Sequence, residues 1–222
     1  MATTPIPHLA EEEKKVFSKL NTYLKIQQFL EEMDYNLQEE GDTYYSPRQV
    51  LRHRKANCFE GAVFGAACLY YNGQPPLLGQ LIGNHKKDDD HVLALYRVDG
   101  LWGSISKTKY PALGFREPIF RNMRELALSY FENYFSYEGE KSLIGYTRPV
   151  DLRTFDKRGW VTDEKGVEYI ADYLVDVKTI RLLSKKAEGR LRPVSPLMKE
   201  AGEIWVNKKG VMGYLKGKFE KE

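Results

Sequence analysis

The sequence lacks the features that secreted and disulfide-stabilised chains depend on. It has only two cysteines, Cys58 and Cys68, and both fall in one predicted helix, about 15 Å apart along its axis. That separation excludes a disulfide between them, because bridged cysteines have Cα atoms within roughly 7 Å of each other. Reduced thiols suit a cytoplasmic protein, and this is the compartment we expect.

Long apolar runs are missing as well. The longest stretch of low charge, residues 61–80, contains the turn-forming segment NGQPP in its second half, so it cannot be one membrane-spanning helix. The first seven residues contain no basic segment followed by an apolar one, and they lead directly into an acidic stretch, EEE. We therefore expect a soluble protein with no signal peptide and no membrane partner.

The chain also has little excess charge of either sign. Its 34 Lys and Arg residues face 31 Asp and Glu residues, which leaves a formal net charge of +3. Such a balance does not indicate a polyanionic partner, so we expect no nucleic-acid binding. The residues that are present, 42% hydrophobic, 13% aromatic and 29% charged, match a compact chain with enough apolar material for a core. The oligomeric state is left open.

Hydrophobic periodicity and turn signals divide the chain into elements. Residues 11–33 carry apolar side chains at helical spacing and predict one amphipathic helix. The other predicted elements are a short helix that starts at Ser46-Pro47, an apolar helix capped by Asn57 and Glu60 that reaches residue 71, a helix at residues 124–135, and a hairpin at residues 207–210.

A second hairpin is predicted around Asp99-Gly100, a dipeptide typical of tight turns between antiparallel strands. Residues 91–98 and 101–107 are its strands. Pairing Val98 with Leu101 leads further along to the pairs Leu95 with Ser104, Leu93 with Ser106 and His91 with Thr108. His91 and Ser106 then share one face of the hairpin on a diagonal.

These elements predict an α+β fold in which the helix that begins near Cys58 packs against an antiparallel sheet containing the Asp99-Gly100 hairpin. We assign residues 1–150 to a core with its N-terminal helix. Residues 151–222 form a C-terminal extension that we expect to pack on the same domain.

Cys58 is the strongest candidate for a nucleophile. It lies in the first turn of its predicted helix, where the helix dipole favours an anion, and the basic residues 52–55 (RHRK) precede it. We therefore expect its thiol pKa to lie below the usual value. A thiolate nucleophile still needs a nearby imidazole, and His91 at the head of a strand is the candidate. Cys68, deep in the same helix, is expected to be core.

Three segments together resemble the core of the transglutaminase-like superfamily, whose fold is papain-like. They are residues 54–62 (RKANCFEGA), 90–95 (DHVLAL) and 102–108 (WGSISKT). The resemblance extends over residues 46–108. It implies a triad of a helix-capping Cys, a strand His and an Asp on the next strand, with Cys58 as nucleophile and His91 as base. It also implies acyl chemistry on an amide bond of a peptide or protein substrate. We expect no cofactor.

The third member of that triad is where this sequence departs. The family has Asp four residues after a strand Trp, whereas this chain has Ser106 after Trp102. A hydroxyl can orient an imidazole but supplies no negative charge. Three outcomes stay open: Ser106 or Thr108 orients His91 in a working Cys-His pair, Asp88 or Asp89 takes the orienting role, or the scaffold binds peptides or proteins without catalysis.

The remaining candidates are weaker. Asn57 and Trp102 are predicted to contact substrate, although Trp102 fits ordinary hairpin packing equally well. A cluster of two histidines and three aspartates could hold a divalent metal, but a run of Asp in a loop is more typical of a solvated surface, and we assign no metal. The cluster consists of His85, Asp88, Asp89, Asp90 and His91. The sequence thus predicts a cysteine peptidase, deamidase or transglutaminase-like enzyme, with a non-catalytic binding module as the alternative.

Overall fold

The computed structural model describes residues 6–39 and 41–202, so the hairpin predicted at residues 207–210 lies outside the described residues. The helices are α1 (Glu11–Lys19), α2 (Tyr23–Glu31), α3 (Pro47–His53), α4 (Cys58–Tyr71), α5 (Met123–Leu128), α6 (Glu168–Val175), α7 (Lys185–Glu188) and α8 (Pro196–Gly202). The strands are β1 (Asp34–Tyr35), β2 (Lys55–Ala56), β3 (Leu77–Gly83), β4 (His91–Val98), β5 (Leu101–Ile105), β6 (Arg116–Phe120), β7 (Leu143–Tyr146), β8 (Val150–Asp151) and β9 (Ile180–Arg181).

Strands β3 to β9 form one antiparallel sheet in the order β6-β5-β4-β3-β7-β9, and β8 pairs with the start of β3. A separate parallel pair, β1 with β2, lies before α4 in the chain. A large antiparallel sheet with helices packed on it is an α+β architecture, which confirms the fold class expected from the sequence.

Both faces of the sheet are buried, each in its own cluster. Alternate residues of β4 such as Val92 and Ala94 face the cluster that contains α4, whereas Leu93 and Leu95 face a second cluster around Tyr130. The cluster around α4 also contains buried residues from beyond position 151, among them Leu152, Trp160, Val167, Ile170 and Leu174.

The N-terminal segment is two helices, so the single helix predicted over residues 11–33 is wrong. Helix α1 ends at Lys19, and Thr22 caps α2 by accepting a hydrogen bond from the Lys25 N–H. The side-chain amide of Asn72 donates to the Phe17 and Leu20 carbonyls at 3.0 and 3.1 Å. These bonds give the carbonyls at the end of α1 a partner where the helix is interrupted. Because Asn72 is distant in sequence, periodicity alone could not locate this interruption.

Helix α4 begins at Cys58 and has the cap that the sequence predicts. The Asn57 side chain accepts from the Glu60 N–H, and the Glu60 carboxylate accepts from the Asn57 N–H, both at 2.9 Å. The helix ends before Asn72-Gly73, where Gly73 has φ of 78°. Cys58 is therefore the first residue of the helix, and Cys68 is fully buried within it.

The Asp99-Gly100 hairpin is confirmed, with positive φ at both turn residues. The register matches the prediction from Val98 opposite Leu101 to Ala94 opposite Ile105. The two further pairs, with Ser106 and Thr108, do not form because β5 ends at Ile105.

The Gln27 side chain on α2 explains where β5 ends. Its amide oxygen accepts from the Ser106 N–H and its amide nitrogen donates to the Ser106 carbonyl, both at 2.9 Å. A side chain thus takes the position of a strand partner, and the Ser106 backbone bonds α2 instead of β4.

Two further expectations needed correction. The helix predicted over residues 124–135 is shorter, because α5 covers Met123–Leu128 and a 3₁₀ turn follows at Phe131–Asn133. Strand β3 was not predicted at all, although it is the central strand that pairs with β4, β7 and β8. Its residues are almost entirely buried, and a short apolar run of this kind has no alternation to reveal it.

Candidate active site

A cavity of about 750 Å³ lies where the first turn of α4 meets the first residues of β4. Its wall includes Cys58, His91, Asn57 and Gln80, together with several aromatic side chains. The volume is in the range of small-molecule and peptide sites. The structure therefore brings the predicted nucleophile and the predicted base into the wall of one cavity.

Cys58 is half-buried at the start of α4, and its thiol lies beside the backbone of β4. The backbone N–H groups of Val92 and Phe59 point at its sulfur. Since Val92 directly follows His91, this contact puts the sulfur next to the chain segment that carries the imidazole. As the first residue of the helix, Cys58 has a backbone N–H without an acceptor inside the helix.

The expected depression of the Cys58 pKa is wrong. Burial raises the pKa of this thiol above its usual value, even though two backbone N–H groups and the Lys109 ammonium favour the thiolate. The Glu60 carboxylate adds to the rise. Desolvation of the anion therefore outweighs the helix dipole and the nearby donors, and the resting thiol is protonated at neutral pH.

The four basic residues before Cys58 do not favour the thiolate because other partners hold them. Arg52 pairs with Glu164, and the His53 ring stacks on Tyr45. Arg54 lies over the Phe29 ring and Lys55 over the Tyr45 ring, with distances of 4.5 and 6.0 Å to the ring centroids. The cation that does act on Cys58 is Lys109, which is far away in sequence.

The His91 imidazole is oriented by Ser106. The two side chains are joined by a hydrogen bond of 2.7 Å between His91 Nε2 and Ser106 Oγ, and Ser106 Oγ donates to the Leu113 carbonyl at 3.0 Å. A hydroxyl has one hydrogen to donate, so the hydrogen of Ser106 goes to Leu113 and His91 Nε2 is the donor to Ser106. This network leaves Nδ1 as the basic nitrogen of His91. The predicted diagonal contact therefore forms, although the strand pairing expected beneath it does not.

Burial also keeps His91 neutral. Its pKa falls from 6.5 to about 4, because desolvation and the Arg116 guanidinium lower it by more than the hydrogen bond to the Leu113 carbonyl raises it. Ser106 has no charge with which to stabilise an imidazolium. The resting pair is a neutral thiol and a neutral imidazole, not the ion pair that a carboxylate in place of Ser106 would favour.

Of the two aspartates that could have replaced the missing carboxylate, Asp88 has another partner and Asp89 is exposed. Asp88 accepts a hydrogen bond from the Ser142 hydroxyl at 2.6 Å, and Asp90 accepts from the Gly83 N–H and pairs with His85. The Thr108 hydroxyl accepts from the Tyr110 N–H. Over residues 6–39 and 41–202, no three His, Cys, Asp or Glu side chains converge as a metal-ligand group.

The two residues predicted to contact substrate have different positions. Asn57 lines the cavity, where its side chain caps α4. Trp102 is not among the cavity-lining residues. It pairs with Arg97 near the hairpin turn, and the Arg97 guanidinium lies 4.8 Å from its ring centroid. This position favours the packing interpretation of Trp102 over a role in substrate binding.

Sequence reasoning missed several residues that shape the site. Gln80, a lone polar side chain in the apolar strand β3, lies in the cavity wall, and Tyr35 lies beside the Cys58 thiol and backbone N–H. Lys109 lies over the Tyr35 and Tyr110 rings. Only Gln80 had a signal in the sequence, because a single polar residue inside a buried strand needs a reason for its position.

Glu60 does more than cap α4. Its fully buried carboxylate accepts hydrogen bonds from Asn36 Nδ2, Thr43 Oγ1 and the Tyr45 N–H, in addition to the Asn57 N–H. Loop 36–45 contributes part of the cavity wall. This carboxylate therefore attaches one wall of the cavity to the first turn of the helix that carries Cys58.

Alkylation of the folded protein is expected to modify Cys58 and spare Cys68. Cys58 is partly accessible in the cavity, whereas Cys68 is fully buried and its pKa is raised well above the usual value by burial. Peptide mapping after treatment with iodoacetamide would measure both sites, with unfolded protein as the control in which both react. Modification of Cys68 in the folded state would contradict this prediction.

Replacing Ser106 with Asp is expected to raise the pKa of His91 from its value of about 4. The new carboxylate would lie next to the imidazole and favour its charged form. Titration of the His91 ring by NMR is the measurement. Ser106→Ala is the control, because it removes the hydroxyl without adding a charge. An unshifted pKa in Ser106→Asp would show that position 106 does not control the charge of the ring.

Comparisons with known proteins do not assign a family. No protein-family model matches the chain, and no curated protein matches it. In the part of the chain that the structure describes, no helix has the length and apolar character needed to cross a membrane.

Proposed function

We propose that the protein carries out thiol-dependent acyl chemistry on an amide bond, with Cys58 as nucleophile, His91 as general base and acid, and Ser106 as the residue that orients His91. One observation carries the proposal. A cavity wall contains both a cysteine at a helix N-terminus and an imidazole whose Nε2 is committed to Ser106, which leaves Nδ1 to act as a base.

The reaction begins from the neutral pair. His91 Nδ1 takes the thiol proton as the Cys58 sulfur attacks the amide carbonyl carbon. The carbon–nitrogen bond then breaks, and the imidazolium gives its proton to the departing amine. Water or a second amine next attacks the thioester, His91 removes its proton, and the thiol is restored. Attack by water makes the enzyme a peptidase or deamidase, and attack by an amine makes it a transamidase.

The same residues support a transglutaminase-like or papain-like arrangement as the finer description of the fold. Helix α4 presents its first residue to the head of β4, and position 106 follows the strand paired with β4. This order of helix, strand and neighbouring strand is what the resemblance to that superfamily implies. This chain differs from the superfamily at the third position of the triad, where Ser106 replaces Asp.

A non-catalytic binding module on this scaffold is the second candidate. The raised pKa of Cys58 and the lowered pKa of His91 favour it, because neither group is charged in the resting state. Within residues 6–39 and 41–202, no carboxylate bonds the imidazole. The cavity would then bind a peptide or protein without attacking it.

Reaction with p-nitrophenyl acetate separates these candidates. We expect release of nitrophenol at neutral pH and an acetyl group on Cys58, located by peptide mass mapping. Cys58→Ser should abolish the acylation, and Cys68→Ser should leave it unchanged. Absence of an acetyl group on Cys58 in the folded wild type would exclude the catalytic proposal in favour of the binding module.

A further inference from the structure

The charge of the cavity is opposite to that of the whole protein. The chain has a net charge of +3, yet the charged side chains of the cavity wall are four aspartates, Asp42, Asp88, Asp89 and Asp90, and a single lysine, Lys109. The aspartates come from two separate loops, 36–45 and 84–90. Because both loops border one cavity, a molecule entering it meets negative charge from two sides.

The carboxylates are only partly neutralised by the protein. Asp90 pairs with His85, and Asp88 bonds the uncharged Ser142 hydroxyl and also feels the Lys109 ammonium. Asp42 and Asp89 are exposed and have no ion-pair partner in residues 6–39 and 41–202. Three consecutive aspartates repel one another, and a bound cation would relieve that repulsion.

Gln80 is independent evidence that the cavity receives a ligand. Its side chain is 6% exposed and lines the cavity, and its Oε1 has no hydrogen-bond partner within the described chain. Gln80 also pairs directly with Val92, whose N–H points at the Cys58 sulfur, so Gln80 lies on the strand next to the one that contacts the thiol. A buried carbonyl oxygen without a partner is costly, and a ligand N–H donor would satisfy it.

These features fit an extended ligand better than a single ion. The acidic side chains do not converge as metal ligands within the described residues, and aromatic rings line the space between the two loops. A peptide supplies both the N–H donors that Gln80 needs and a cationic side chain that can reach the carboxylates.

We infer that the cavity binds basic peptides, in which a Lys or Arg side chain faces Asp42 and Asp89 while a backbone or amide N–H of the same peptide donates to Gln80. The inference rests on the proposed function and names its substrate class. The cationic side chain would then stand a short distance along the peptide from the amide that Cys58 attacks.

Binding is tested without chemistry in the Cys58→Ser variant. Three peptide pools are randomised equally except at one fixed position, which is Lys, norleucine or Glu. Retention of each pool on the immobilised protein is measured by mass spectrometry. We expect the Lys pool to be retained about fivefold more than the norleucine pool and the Glu pool least, the size of effect typical of partly exposed ion pairs.

Matched substitutions assign the effect to named residues. Asp42→Asn combined with Asp89→Asn should reduce retention of the Lys pool to the level of the norleucine pool. Asp99→Asn is the control, because it removes the same charge at the hairpin turn outside the cavity lining, where Asn tolerates the positive φ of 49°. Gln80→Leu should weaken the Lys and norleucine pools equally, because the hydrogen bond it removes is independent of charge.

The outcomes distinguish this inference from the proposed function. Equal retention of the three pools, or an effect of Asp99→Asn as large as that of the cavity substitutions, overturns the inference even where p-nitrophenyl acetate acylates Cys58. A preference for Lys that depends on the cavity aspartates supports it. If that preference occurs in a protein whose Cys58 is never acylated, the chemistry is wrong and the cavity is a binding site for basic peptides. Thermal unfolding of each variant verifies that it is folded.

Discussion

Replacing His91 with Ala is expected to slow the acylation of Cys58 by p-nitrophenyl acetate at pH 7 by about 100-fold or more, the usual size of a general-base contribution. In the wild type, the hydrogen bond between His91 Nε2 and Ser106 assigns Nδ1 as the nitrogen that takes the thiol proton during attack. Without the imidazole, attack depends on the small fraction of thiolate that the raised pKa of Cys58 allows. The acylation rate is measured from nitrophenol release under single-turnover conditions.

The pH dependence of the acylation rate follows from the lowered pKa of His91 and the raised pKa of Cys58. Because burial lowers the pKa of His91 to about 4, the imidazole is an available base at every pH well above 4, and the wild-type rate should rise through that value and persist at neutral pH. In His91→Ala, the rate should rise only at alkaline pH as the thiol ionises. The difference between the two proteins is therefore largest near neutrality.

Two control variants test whether the slower acylation is due to loss of the His91 base. His91→Gln retains a side chain that can bond Ser106 but has no base, so it should be as slow as His91→Ala. His85→Ala removes the other histidine of the cavity wall, which is exposed and pairs with Asp90, and should react like the wild type. Identical pH profiles for wild type and His91→Ala would show that His91 does not act on Cys58.

Replacing Glu60 with Gln is expected to lower the free energy of unfolding by about 2 to 6 kcal/mol, the cost of leaving two buried donors without an acceptor at about 1 to 3 kcal/mol each. Each carboxylate oxygen of Glu60 accepts from at least two donors. An amide has one oxygen, so its NH₂ group would face two of those donors and leave them without an acceptor. Denaturant unfolding monitored by circular dichroism measures the change.

Glu125→Gln is the matched control for this stability effect. Glu125 also follows a capping asparagine by three residues and accepts from backbone and side-chain donors, but its bonds are exposed to solvent. We expect it to cost less than about 1 kcal/mol, because water replaces the lost bonds. Equal losses for the two variants would contradict the role we assign to Glu60. Because Glu60 also holds loop 36–45, its variant should alkylate faster at Cys58.

Local signals in the sequence predicted the elements that carry the candidate site. Asn57 and Glu60 are three residues apart and cap α4 through neighbouring backbone groups, so the helix start was readable without knowledge of the rest of the chain. The Asp99-Gly100 turn set the register of β4 and β5 for the same reason, because a two-residue turn leaves one way to pair its strands. That register predicted the contact between His91 and Ser106, although the strand pairing ends one residue before Ser106.

Contacts made over long sequence distances were not readable in this way. The end of β5 depends on Gln27, and Asn72 donates hydrogen bonds to backbone carbonyls at the break between α1 and α2. Strand β3 was missed because a fully buried strand shows no alternation of apolar and polar residues. Each of these features depends on which distant segments become neighbours in space.

The sequence by itself determined which groups could take part in chemistry, namely a cysteine at a helix start, a histidine at a strand start and a serine where a carboxylate would be expected. Only the tertiary structure decided their charge states. Burial against β4 raises the pKa of Cys58, burial lowers the pKa of His91, and the basic residues 52–55 are turned toward partners elsewhere. Hydrogen bonds of caps and turns act between residues close in sequence, whereas desolvation is caused by all the segments that surround a group, and no short stretch of sequence contains them.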